Sequence, residues 1–121
     1  MGWWEILSEP DNSEKEAFDV VLVHGLCRNA KATWESIDPF HYGYAKWFSE
    51  RVSQSRVLQY NYHPLDNDSN TLCLNGIRRE ALKLLDALRS LPSGKGNRGP
   101  LVFIGHDIGA IIIKEVGNTA L

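Results

Sequence analysis

Residues 105–109 read Gly105-His106-Asp107-Ile108-Gly109 and follow directly on the apolar run Leu101-Val102-Phe103-Ile104. This is the spacing of a nucleophile elbow, G-x-S-x-G, with aspartate where serine is expected. Such an elbow is a sharp turn from a strand into a helix, and it holds one side chain up at the sheet's C-terminal edge. The central residue takes strained backbone angles, so the residues two before and two after it must be small. Gly105 and Gly109 meet that need, and aspartate tolerates positive φ better than most residues. The second candidate is His24-Gly25-Leu26-Cys27, at the end of another apolar run. A loop in that place can supply one backbone N–H of an oxyanion hole, and the residue after the nucleophile supplies the other. Leu26 and Ile108 are the expected donors, Asp107 holds the nucleophile position, and His24, Gly25, Gly105, His106 and Gly109 form the frame. The plain alternative for His24-Gly25 is a strand-to-loop glycine turn.

The elements that would position these residues follow from hydropathy. Trp3 to Leu7 reads as a short first strand, followed by a polar turn over 9–13. Asp19-Val20-Val21-Leu22-Val23-His24 is the continuous apolar run of a strand buried on both faces. Residues 26–42 read as a loop, and Tyr44 to Ser53 carries a helical pattern with Ala45, Phe48 and Val52 on one face. Arg56 to Tyr62 is a further strand, stopped by Pro64. From Thr71 to Leu91, Leu74, Ile77, Ala81, Leu84, Leu85 and Leu88 are spaced for a long amphipathic helix that ends at Pro92. Leu101–Gly105 is the third strong strand. Ile108 to Leu121 is the helix after the elbow, with Gly117-Asn118 as a stop signal. This alternation predicts an α/β domain over 1–121, a parallel sheet with crossover helices in a three-layer α/β/α arrangement.

Composition narrows the classes. The 121 residues are 43% hydrophobic, with four Trp, four Tyr and four Phe, which is globular usage. A formal net charge of −2 and the lack of a basic stripe exclude nucleic acid as the expected partner. Two cysteines, Cys27 and Cys73, do not suggest a disulfide framework. Met1 to Glu5 is not a signal peptide, Ile6 breaks the myristoylation pattern, and no stretch is long enough to span a bilayer. The sequon Asn67-Asp68-Ser69 is then incidental. The expected location is intracellular and reducing, with the cytoplasm as the default and no secretion.

Together the two motifs resemble the α/β-hydrolase superfamily. The closer resemblance is to the serine esterase/lipase-like domains that often open fungal NLR-like, NACHT or NB-ARC signalling proteins. Those domains typically read D-I-V-F-V-H-G-L-G-G, then T-W, then a strand like R-I-L-T-Y-G-Y, then F-I-G-H-S-L-G-G-L-V-V-K. Here Asp19–Leu26, Thr33-Trp34, Arg56–Tyr62 and Phe103–Lys114 follow in that order, covering nearly the whole chain. Three positions depart: Asp107 for Ser, Cys27 for the first Gly after H-G-L, and Ala110 for Gly. The resemblance implies the N-terminal half of an α/β-hydrolase fold and ancestral hydrolysis of a small-molecule or lipid ester, with no cofactor and no metal. It leaves mitochondrial or ER membrane association open. It also carries the alternative of a non-catalytic sensing or effector module in a larger signalling protein.

Asp107 has three readings. A carboxylate can attack carbon to form an ester that water then hydrolyses. Epoxide hydrolases and haloalkane dehalogenases of the same superfamily do this from G-H-D-W-G, but Ile108 lacks the tryptophan N–H and Cys27 is not the proline of H-G-x-P. The second reading, taken forward here, is a degenerate esterase site, since an aspartate attacking an acyl group would give a mixed anhydride. The third is a metal or structural role. In this superfamily the acid and the histidine follow the nucleophile. Between Ile108 and Leu121 there is no His and no Asp, and Glu115 is the one carboxylate. His24, His41, His63 and His106 all precede position 107. Leu101–Ile104, apolar throughout, would be an exposed edge if the sheet ended there, needing further domains or a partner to cover it. Gly94 to Gly99 matches G-x-G-x-x-G, but it follows a helix and precedes a strand, so it reads as a loop. His24-x-x-Cys27 has no second ligand pair.

Overall fold

The computed structural model describes residues 2–9, 18–26, 55–65, 70–91 and 100–120. Four strands, β1 (Trp3–Ser8), β2 (Phe18–Val23), β3 (Ser55–Asn61) and β4 (Leu101–Gly105), form one sheet in the order β1-β3-β2-β4. Helix α1 (Leu74–Arg89) joins β3 to β4, and α2 (Ile108–Ala120) follows β4. The class is α/β.

β2 lies at the centre because its side chains can be buried on both faces. Val20, Val21, Leu22 and Val23 are all fully buried, each contributing about 1.5–3 kcal/mol relative to exposure. Successive residues point to opposite faces. Val21 and Val23 join Leu58, Tyr60 and Tyr62 beneath Ala81 and Leu84 of α1 and Ile112 and Val116 of α2. Val20, Leu22 and Val57 form a second cluster on the other face, with Leu7, Phe18 and Ile104 against it. Both described helices therefore pack on one face. The expected 44–53 helix lies outside the described residues, as do the 27–42 and 93–99 parts of the expected loops and Cys27.

The sheet is mixed, which corrects the expectation of a parallel one. β2 pairs in parallel with β3 (Val21↔Leu58) and with β4 (Val21↔Phe103). β1 runs antiparallel to β3, with Trp4 opposite Tyr60 and an irregularity between Ile6 and Ser8. The arrangement fits its burial: β1 is an edge strand with exposed Trp3, Glu5 and Ile6, and one-sided burial suits antiparallel pairing. Its Trp4 indole N–H donates to the Ala87 carbonyl at 3.1 Å, fastening the edge to α1.

α1 buries much of its expected stripe. Ala81 and Leu84 enter the core and Ile77, Leu85 and Leu88 pack against it. Leu74, in the first turn, is 55% exposed. Glu80 is buried instead. α2 continues through Gly117-Asn118 to Ala120, so the expected stop does not end it. A mid-helix glycine costs about 1 kcal/mol without breaking the helix. Among the described residues no helix is long and apolar enough to cross a membrane. β4 has no strand on its outer side among the described residues, and Leu101 and Val102 are exposed there.

Candidate functional site

The chain moves one way across the sheet from β2 to β3 and the other way from β3 to β4. The gap between β2 and β4 is thus a topological switch point, where open α/β sheets form clefts at the C-terminal ends of their strands. Both sequence motifs end there. After β4, the His106 N–H donates to the Val23 carbonyl at 3.0 Å, holding the turn against the end of β2. Asp107 then takes φ 58°, the one positive-φ residue other than glycine among those described. The Gly109 N–H reaches the His106 carbonyl and the Ala110 N–H the Asp107 carbonyl, both at 3.0 Å, and α2 begins.

The glycines are where the contacts are closest. A β-carbon on Gly105 would stand 2.5 Å from the Ala110 Cα, and one on Gly109 2.2 Å from the Val23 carbonyl oxygen. One on Gly25 would stand 2.6 Å from the Asp107 Cβ and 2.9 Å from its Oδ2. All three would collide. The Gly25 contact brings the two motifs together, and the Leu26 N–H donates to Asp107 Oδ2 at 3.3 Å. This is the one hydrogen bond to the Asp107 carboxylate among the described residues. Ile108 is the first residue of α2, and its side chain packs against the main core.

The histidines lie elsewhere in the network. His24 is buried, with Nδ1 2.8 Å from the Gly25 carbonyl and Nε2 3.4 Å from the Tyr62 N–H. Nδ1 faces a carbonyl, which only accepts, whereas Nε2 also faces the Tyr62 N–H and can accept from it, so the neutral ring is assigned its proton on Nδ1. Nε2 also lies 3.2 Å from the Tyr62 carbonyl. The Tyr62 ring stacks on His24 at 4.3 Å, and its hydroxyl donates to the His24 carbonyl at 2.6 Å. Burial pushes the His24 pKa down from 6.5, and electrostatic repulsion from the neighbouring His63 acts weakly in the same direction, against the two backbone hydrogen bonds. His24 is thus a neutral brace for the β2 end. Sequence reasoning missed Tyr62 as its partner, because the register that places Tyr62 beside His24 has no local signal.

His106 is exposed at the turn, and His63 is exposed with its ring 5.6 Å from Trp3. His41 lies outside the described residues. Glu115 faces Arg78 of α1 at 3.6 Å. The described part of the cleft therefore offers a carboxylate, a backbone donor and no imidazole bonded to that carboxylate. Among the described residues no group of three His, Cys, Asp or Glu could hold a metal ion. Comparison with family models, with curated proteins and with solved structures gives no match to this chain.

Proposed function

We propose that this chain is an α/β-hydrolase-like domain related to carboxylic-ester hydrolases, and that it does not turn over esters with aspartate at position 107. The observation that carries this reading is the strained turn at Asp107 between β4 and α2, with the Leu26 N–H beside it. A strand-to-helix turn of this kind presents its central side chain to a cleft and supplies backbone donors beside it. Acyl transfer needs a nucleophile that a base can activate. A carboxylate at position 107 attacking an acyl group would form a mixed anhydride, and no described histidine is hydrogen-bonded to it. The test measures aryl-ester cleavage by the full-length protein, as wild type and as Asp107→Ser. Cleavage by the serine variant alone is expected, whereas wild-type turnover lost in Asp107→Asn overturns the reading.

One observation favours a second reading, an aspartate nucleophile acting on an epoxide or alkyl halide. The Leu26 N–H holds Oδ2, which leaves Oδ1 to attack carbon. With an epoxide, Oδ1 bonds to a ring carbon, the ring C–O bond breaks, and the alkoxide takes a proton from water. Releasing the resulting ester needs a base-activated water. Intact-mass analysis after exposure to a styrene-type epoxide decides it: an adduct mapped to Asp107 favours this reading, and an unmodified chain removes it.

A further inference from the structure

We infer that the Asp107 carboxylate is a built-in occupant of the chain's own oxyanion site, a contact that closes this donor to external anions and also ties the end of β2 to the start of α2. This rests on the reading of residues 105–109 as a nucleophile elbow. The reasoning starts from side-chain reach. In serine the reactive oxygen is one bond from Cβ, whereas in aspartate each oxygen is two bonds from it. With the same backbone turn, aspartate carries an oxygen one bond further out, past the place of a hydroxyl nucleophile. In that direction lies the Leu26 N–H, the donor an acyl oxygen would need, and Oδ2 accepts from it at 3.3 Å. Gly25 permits the approach, because any β-carbon there would collide with Asp107 Cβ and Oδ2. The substitution therefore does two things together. It replaces the nucleophile, and it fills the donor with a fixed negative charge that repels any external anion.

The test reads the Leu26 amide by NMR in the full chain. Asp107→Gly removes the carboxylate and suits the positive φ, and Asp107→Asn keeps an acceptor oxygen and also tolerates this conformation. Loss of the hydrogen bond in Asp107→Gly is expected to speed Leu26 amide exchange about fivefold to tenfold. Inorganic phosphate should then shift the Leu26 resonance saturably in Asp107→Gly, and leave it unmoved in the wild type and in Asp107→Asn. Equal exchange in wild type and Asp107→Gly overturns the inference. So does phosphate that moves the wild-type resonance as far, or that moves neither. Ester cleavage is scored separately: an inert Asp107→Ser with a freed, phosphate-responsive Leu26 amide in Asp107→Gly sinks the esterase reading alone.

Discussion

Gly109 is seated on the end of β2 so closely that a β-carbon there would stand 2.2 Å from the Val23 carbonyl oxygen and 2.6 Å from that of His24. Both atoms are backbone of the central strand, so neither can swing aside. Gly109→Ala must push α2 off the sheet, and it should lower stability by about 3 kcal/mol. At Gly117, in the same helix, an added β-carbon meets nothing within 4 Å. Gly117→Ala should therefore raise stability by about 0.5–1 kcal/mol through helix propensity alone. Urea unfolding of the two variants checks the pair, and opposite signs are the expected outcome.

Asp19 and Arg56 are opposite each other at the starts of β2 and β3, and they form a two-pronged ion pair under the helices. Arg56 Nε donates to Oδ1 at 3.0 Å and Nη2 to Oδ2 at 2.8 Å, with both side chains essentially inaccessible. Removing one partner takes the ion pair away from the other's buried charge, so Arg56→Met or Asp19→Leu alone should cost about 3–5 kcal/mol. The double variant removes both charges and should cost clearly less than the sum of the two. A denaturation double-mutant cycle measures the coupling, and strict additivity would remove the pair as a unit.

How far the sequence could be read follows from the range of the forces involved. The strand-to-helix turn at Asp107 was legible because its rule is local: a residue at positive φ with backbone packed close about it needs small neighbours, and Gly105 and Gly109 are two positions away. β2 and β4 were legible as uninterrupted apolar runs. The direction of β1 was not, since pairing partners distant in the chain decide it. The first-turn Leu74 and the buried Glu80 broke the expected stripe because periodicity gives a face and not its depth of cover. The same limit hid Tyr62 from His24 and the Asp107 carboxylate from the Leu26 amide. Those contacts join residues 38 and 81 positions apart, and only the assembled sheet edge brings them together.

Tyr60 and Tyr62 are neighbours on one face of β3, yet their hydroxyls fare differently. That of Tyr62 donates to the His24 carbonyl at 2.6 Å. That of Tyr60 is buried with no hydrogen-bond partner among the described residues, beside Trp4 and close enough to Glu80 to feel its charge. Burial first, and Glu80 second, push the Tyr60 phenol far up, so it keeps its proton. Removing an unsatisfied hydroxyl relieves a desolvation cost, and Tyr60→Phe should be neutral or stabilising by about 1 kcal/mol. Tyr62→Phe loses a made bond and orphans a carbonyl, at a cost of about 1–2 kcal/mol. Thermal unfolding of the two variants gives the comparison, and a destabilised Tyr60→Phe would show that its hydroxyl has a partner.

The buried His24 ring makes stability depend on pH with a definite sign. Its folded pKa lies below 6.5, so the unfolded chain takes up a proton at this residue more readily than the folded one. Stability rises with pH wherever the unfolded state binds more protons. The His24 contribution is therefore fully present above pH 6.5, decays as pH falls through the interval below it, and is gone once the folded ring is protonated as well. Protonation would also place a charge where desolvation opposes it and would turn Nε2 from an acceptor for the Tyr62 N–H into a donor. Urea midpoints at pH 7.5 and pH 5 should fall for the wild type by more than for His24→Gln, which cannot titrate. Equal falls in the two proteins would assign the acid sensitivity to other groups and remove His24 as its source.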